Sequence, residues 1–134
     1  MTHEEKISWL SRYREAEKLY QRLSFRLAEA QEATRHITQN LSAAPGGSKD
    51  GQSLARAVER EEEAERRAYA QLAVLDALFA EIDAALVQLD ANEYCALRKY
   101  YLDGLKWEQV AADMNFTSRG IFALRRRAIE HLKL

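Results

Sequence analysis

Hydrophobic positions recur at alternating steps of four and three from Trp9 to Leu41, through Tyr13, Ala16, Tyr20, Leu23, Leu27, Ala30, Thr34 and Ile37. Heptad stepping held over that length predicts one long helix with a single apolar seam. The stretch from Ser42 to Gly51 then gathers the only proline and three of the five glycines, so a loop is expected over residues 42–52. The stepping resumes at Leu54, Val58, Glu61, Glu65, Ala68, Leu72, Leu75, Phe79, Ile82, Leu86 and Leu89, and weakens where the two glutamates fall. Folded back on itself, the pattern pairs Leu41 with Leu54, Leu27 with Ala68, Leu23 with Leu72, Tyr20 with Leu75, Ala16 with Phe79 and Trp9 with Leu86. The expected architecture for residues 1–90 is a long antiparallel, coiled-coil-like helical hairpin, each arm about 55 Å long at 1.5 Å per residue. Pairing of arms between two chains satisfies the same pattern.

The pattern changes at Leu89-Asp90-Ala-Asn-Glu93-Tyr94, which carries the signature of a new helix start. Asp90 is placed to cap, Glu93 to reach back in a capping box, and Leu89 to staple onto Tyr94. Three short helices follow: about 91–102, ended by Asp103-Gly104; about 107–114, ended by Asn115; and about 118–132, capped by Thr117. Val110, Ala111 and Met114 give the middle helix one apolar face, with Trp107 one turn earlier; Ile121, Leu124, Ala128 and Leu132 form the buried stripe of the last. These are helix-turn-helix proportions, and the expected fold is all-α, with residues 91–134 forming a second module.

Composition agrees with long helices, since one proline and five glycines in 134 residues leave little to interrupt them, and 47% hydrophobic residues suffice for a core. The single cysteine, Cys95, has no disulfide partner within the chain. The first residues carry no apolar signal core, and the apolar stretch from Leu72 to Leu89 is broken by Asp76, Glu81 and Asp83. A cytoplasmic protein that does not engage a membrane is therefore expected. The net charge of −1 conceals a division: residues 1–90 hold 12 Lys/Arg against 16 Asp/Glu, whereas residues 91–134 hold 8 against 5. With Ile121, Leu124, Ala128 and Leu132 turned inward, Ser118, Arg119, Phe122, Arg125 and Arg126 turn toward solvent. A basic exposed face on the second helix of such a pair predicts a polyanionic partner, double-stranded DNA above all.

The segment from Tyr101 to Leu132 resembles the region 4 helix-turn-helix of sigma-70-type factors. It is closer still to small phage and prophage regulators of Gram-positive bacteria of the late-gene and autolysin type. The likeness covers roughly Asp90 to Leu132 and is sharpest in Asp103-Gly-Leu-Lys-Trp-Glu-Gln-Val-Ala111, the Asn115-Phe-Thr117 turn and Arg127-Ala-Ile129. It implies a transcriptional regulator in a bacterial host cell, with Trp107, Val110, Ala111, Met114, Ile121 and Leu124 as the helix-turn-helix core. Base reading is then expected from Arg119 and Arg126, with Ser118 secondary and Phe122 against a thymine methyl. Phosphate contact is expected from Arg98, Lys99, Arg125 and Lys133. The family's arginine at the position of Arg127 implies an internal brace there. Lys106 stands where the family usually has Ser or Thr as a cap. Gly120 opens the last helix at a cost of about 1 kcal/mol relative to Ala.

Other chemistry is sparse. Cys95 has no acid-base partner nearby, His3, His36 and His131 lack metal-ligand spacing, and Glu59 to Glu65 reads as a solvated helix face interleaved with Arg56, Arg60, Arg66 and Arg67. No enzyme, cofactor, metal or small-molecule substrate is expected. Two alternatives keep the same fold: a module docking on RNA polymerase without DNA specificity of its own, and a small terminase-like packaging subunit. The hairpin is the expected seat of homo-oligomerisation or partner docking.

Overall fold

The computed structural model describes residues 1–43 and 48–134, which form six helices and no strand. They are α1 (His3–Leu10), α2 (Arg12–Ala43), α3 (Ser48–Leu86), α4 (Ala91–Tyr101), α5 (Trp107–Met114) and α6 (Ser118–His131). Among the described residues no helix is long and apolar enough to cross a membrane. Of the loop expected over 42–52, residues 44–47 lie outside the described residues, while α2 runs through Ala43 and α3 begins at Ser48. Gly51 is thus helical, with open space where a Cβ would stand.

The stripe from Trp9 to Leu41 is likewise divided. Ser11 donates from Oγ to the Ile7 carbonyl at 2.7 Å, and Arg12 Nε donates to the Trp9 carbonyl at 3.0 Å, so side chains compete for carbonyls where α1 passes into α2. Thr2 closes the other end of α1 with a capping box, Thr2 Oγ1 accepting from Glu5 N and Glu5 Oε2 from Thr2 N.

Two compact units result, residues 1–16 with 75–134, and residues 17–74. This division replaces the expected boundary at Asp90. The reason is the first unit's core, in which Leu10 of α1 and Ile82 and Leu86 of α3 are fully buried with Leu97, Tyr101, Ile129 and Leu132. The last turns of α3 supply a wall that α4 and α6 cannot build alone. Asp90 caps α4 as expected, accepting from Glu93 N at 2.8 Å, and Leu89 and Tyr94 both lean on this core. Tyr13 meets Phe79 edge-on at 5.8 Å, and Arg12 pairs with Glu81 at 3.1 Å. Phe79 therefore finds its ring partner one step before the expected Ala16.

In the second unit every expected seam position of α2, from Tyr20 to Leu41, is half-buried. On α3 the inward positions differ from expectation: Ala57 and Ala68 are buried and Leu54, Glu61, Ala64 and Gln71 half-buried, whereas Val58, Glu65 and Leu72 are exposed. Both readings share Leu54, Glu61 and Ala68. Two of the three alternate positions, Ala57 and Ala64, are alanines, whose small side chains suit close helix packing and leave Val58 and Leu72 on the flank; Gln71 is the third.

Leu86→Ala should lower unfolding free energy by about 2–5 kcal/mol, and Val87→Ala by less than about 0.5 kcal/mol, in denaturant titrations. A pH dependence also follows at the cap of α4. The Asp90 carboxyl titrates below its ordinary 3.8, chiefly because Glu93 N–H donates to it, with a smaller pull from Arg127 and His131. A depressed folded value stabilises above the unfolded value and is lost as pH falls through the folded one. Asp90→Asn keeps the cap acceptor and should lose less stability on acidification below the carboxylate range.

Candidate nucleic-acid interface

α6 is positioned from both ends. At its start, Asn115 adopts the left-handed conformation (φ 59°, ψ 39°), and Phe116 N donates to the Ala111 carbonyl at 2.8 Å, closing α5. Thr117 Oγ1 then accepts from Gly120 N at 3.0 Å. A Cβ on Gly120 would stand 3.1 Å from that hydroxyl and 3.3 Å from the Phe116 ring. The missing side chain, costly for helix propensity, is what lets the cap and the Phe116 plug sit tightly. The start of α5 is weaker, as its lysine cap implies: Lys106 N donates to Gln109 Oε1 at 2.9 Å, one half of a capping box.

At its other end, α6 is held by contacts with no local sequence signal. Lys6 Nζ of α1 donates to the Ile129 carbonyl at 3.1 Å, placing a cation at the negative end of the helix dipole. Glu93, only 2% exposed, brings its carboxylate to 2.6 Å from His131 Nδ1 and 3.8 Å from Arg127 Nε. Gln88 and the Lys133 backbone exchange two hydrogen bonds, at 3.0 and 3.1 Å. Their partners lie far apart in the chain, so no spacing rule points to them.

Between these ends, Ile121, Leu124, Ala128, Ile129 and Leu132 are buried, the first two packed with Ala96 of α4 and with Val110 and Ala111 of α5, the last three with Leu97 and Tyr101 of α4 and the residues of α1 and α3 named above. Trp107 and Met114 are half-buried at the edge of this core. Ile129 was not among the expected inward positions; it widens the stripe to a broad apolar face.

The outward residues separate into two groups. Ser118, Arg119, Phe122 and Arg126 are exposed, and no ion pair engages Arg119 or Arg126 among the described residues. Phe122 also leans on Trp107, with ring centroids 6.3 Å apart, and remains 44% exposed. Beside it a shallow notch of about 280 Å³ opens between α5 and α6, lined by Phe116, Ser118, Phe122 and Glu108 among others.

Three of the four expected phosphate contacts are instead tied into the fold. Arg98 Nη1 donates to Tyr94 Oη at 2.6 Å, lies 3.5 Å from Asp83, and reaches over the Phe79 ring. Tyr94 in turn donates to Asp83 Oδ1 at 2.6 Å, which raises its phenol above the ordinary range. Lys99 pairs with Asp113 of α5 at 3.6 Å. Arg125 lies 5.3 Å over the Trp107 ring and beside Tyr101, whose phenol is raised by burial while Arg125 opposes the shift. The same indole stacks on Tyr100 at 4.3 Å, and Arg14 covers the far face of that pair at 4.2 Å from the Tyr100 ring. Only the Lys133 side chain remains exposed as expected. Cations beside acids and aromatics are drawn inward; those on the outermost arc of α6 have nothing within the unit to meet.

Among the described residues no group of three His, Cys, Asp or Glu side chains is arranged to hold a metal ion, and Cys95 is a half-buried free thiol. No protein-family model, curated protein or solved structure matches the chain.

Arg98→Ala should lower the melting temperature by a few degrees by stripping Tyr94 and Asp83 of their cation, whereas Lys133→Ala should leave it at the parent value; thermal melts followed by circular dichroism read both.

Proposed function

We propose that the chain is a sequence-specific DNA-binding transcriptional regulator of the phage or prophage kind, with α5 and α6 acting as a helix-turn-helix pair and α6 entering the major groove. Binding is its whole activity in this reading, and no cofactor takes part. The observation that carries it is the outer arc of α6: Arg119 and Arg126 stand two turns apart on an exposed face, free of ion pairs among the described residues, on a helix fixed at both ends. Seven residues at 1.5 Å each separate them by about 10 Å along the axis, or about three base-pair steps. That spacing suits two guanidiniums each donating to a guanine edge, with Ser118 and Phe122 completing the arc.

Phosphate contact is the smaller part of this reading. With Arg98, Lys99 and Arg125 held in contacts within the fold and Arg127 turned to Glu93, phosphate neutralisation by this unit rests chiefly on Lys133. Affinity per chain is therefore modest, and its salt dependence shallow, at a slope of about −0.9 for each phosphate neutralised.

Binding-site selection from random duplexes, with wild type and Arg119→Ala/Arg126→Ala, tests the reading. The wild type should enrich a motif; each single alanine variant should lose about 1–3 kcal/mol on that motif and relax one position. No enrichment by the wild type at low salt would overturn DNA reading and leave docking on RNA polymerase as the use of the same face.

A further inference from the structure

The unit formed by residues 17–74 is two helices deep, and its interior is thin. Ala57 and Ala68 are its only buried hydrophobic residues among those described, while Phe25, Tyr69, Val58 and Leu72 are exposed. Two helices in isolation cannot bury enough apolar surface to offset the ordering of so many residues, so a further surface is needed to cover them.

Charge on α3 indicates which surface. On one side of the seam, Arg56, Arg60 and Arg67 recur at helical spacing and join Arg26 of α2 around an open cleft of about 380 Å³ with Leu23 and Ala64 in its floor. Glu59 and Glu63 also line it, and Glu63 pairs with Arg67, leaving Arg26, Arg56 and Arg60 without an ion pair among the described residues. On the opposite side of the seam, Val58, Glu62, Glu65, Tyr69 and Leu72 recur at steps of four and three, all exposed, with no cation among them. One flank is a basic groove with an apolar floor; the other is an apolar ridge carrying acids.

We propose that this unit assembles with further copies of the same chain head to tail, the acidic ridge of one copy seated in the basic groove of the next. A two-fold arrangement would set like flanks together, arginine on arginine or glutamate on glutamate, at an electrostatic cost. Seating ridge on groove joins opposite charges and covers Val58 and Leu72 in the same step. Because the two surfaces differ, each added copy presents a free ridge or groove, and growth proceeds beyond a dimer to a ring or a chain. None of these residues lies on α6, so such assembly does not depend on DNA binding.

Sedimentation velocity on the full chain without DNA tests it. Wild type should sediment at low salt as species larger than a dimer, shifting toward monomer as salt rises. Arg56→Glu/Arg60→Glu and Glu62→Arg/Glu65→Arg should each be monomeric with parental helix content by circular dichroism. Their equimolar mixture should recover the large species, because each altered flank then has an opposite one to meet. Should a reversed variant lose helix, the neutral pairs Arg56→Ala/Arg60→Ala and Glu62→Gln/Glu65→Gln carry the test, with association at least tenfold weaker expected. A monomeric wild type, a dimer indifferent to both reversals, or a mixture that stays monomeric would each overturn head-to-tail assembly. An Arg56→Glu/Arg60→Glu variant with unchanged mass but weakened DNA binding would overturn it too, making the groove a nucleic-acid surface.

Discussion

Ile121, Leu124, Ala128, Ile129 and Leu132 leave water together, and the other helices of the first unit are arranged around them. Each such side chain stabilises the fold by about 1.5–3 kcal/mol relative to exposure, more than any surface ion pair in the unit supplies. α4 runs along the whole stripe, joined by α5 over its first half and by α1 with the end of α3 over its second. Once that face is committed, rotation of α6 is no longer free. Ser118, Arg119, Phe122 and Arg126 are outward because their helical neighbours must be inward, and a face fixed by the core is held at one orientation. The exposed arc of α6 is thus a consequence of which side of one helix water cannot reach.

The base of the long helices belongs to the first unit for the same reason. Ile129 and Leu132 of α6 lie beyond the span that α5 covers; Leu97 and Tyr101 of α4 meet them on one side, and Leu10, Ile82 and Leu86 complete the enclosure. Glu93 reinforces the arrangement. A carboxylate at 2% exposure is costly to desolvate, and it is tolerated because His131, Arg127 and the Asp90 amide converge on it. That cluster ties the start of α4 to the end of α6, as Lys6 ties α1 to the same end.

Much of this was legible in the chain because it depends on local periodicity. The helical class, the caps at Asp90 and Thr117, the stop at Asn115 and the inward face of α6 follow from spacing and from side chains that meet their own neighbours. The seam of α2 was equally readable, since its large residues admit one stripe. On α3 two stripes share Leu54, Glu61 and Ala68, and periodicity alone favoured Val58, Glu65 and Leu72 over Ala57, Ala64 and Gln71. Packing chose the second set, two of its three members alanines. The long-range ties, Lys6 to Ile129, Gln88 to Lys133 and Glu93 to His131, carry no periodic signal, because each is fixed by where the helices finally lie.

Arginine placement shows the same divide between local and tertiary causes. A helical wheel places Arg119, Arg125 and Arg126 alike toward solvent, yet Arg125 turns onto the Trp107 ring, which α5 brings to it and which Tyr100 backs from behind. A guanidinium sheds water more readily than an ammonium and gains from an aromatic face, so a nearby indole is enough to recruit it. Arg98 is recruited in the same way by Tyr94, Asp83 and Phe79. Each recruited cation strengthens the scaffold and is partly withdrawn from solvent, so the unpaired charge of α6 among the described residues is smaller than composition suggests and lies with Arg119 and Arg126 on its outer arc.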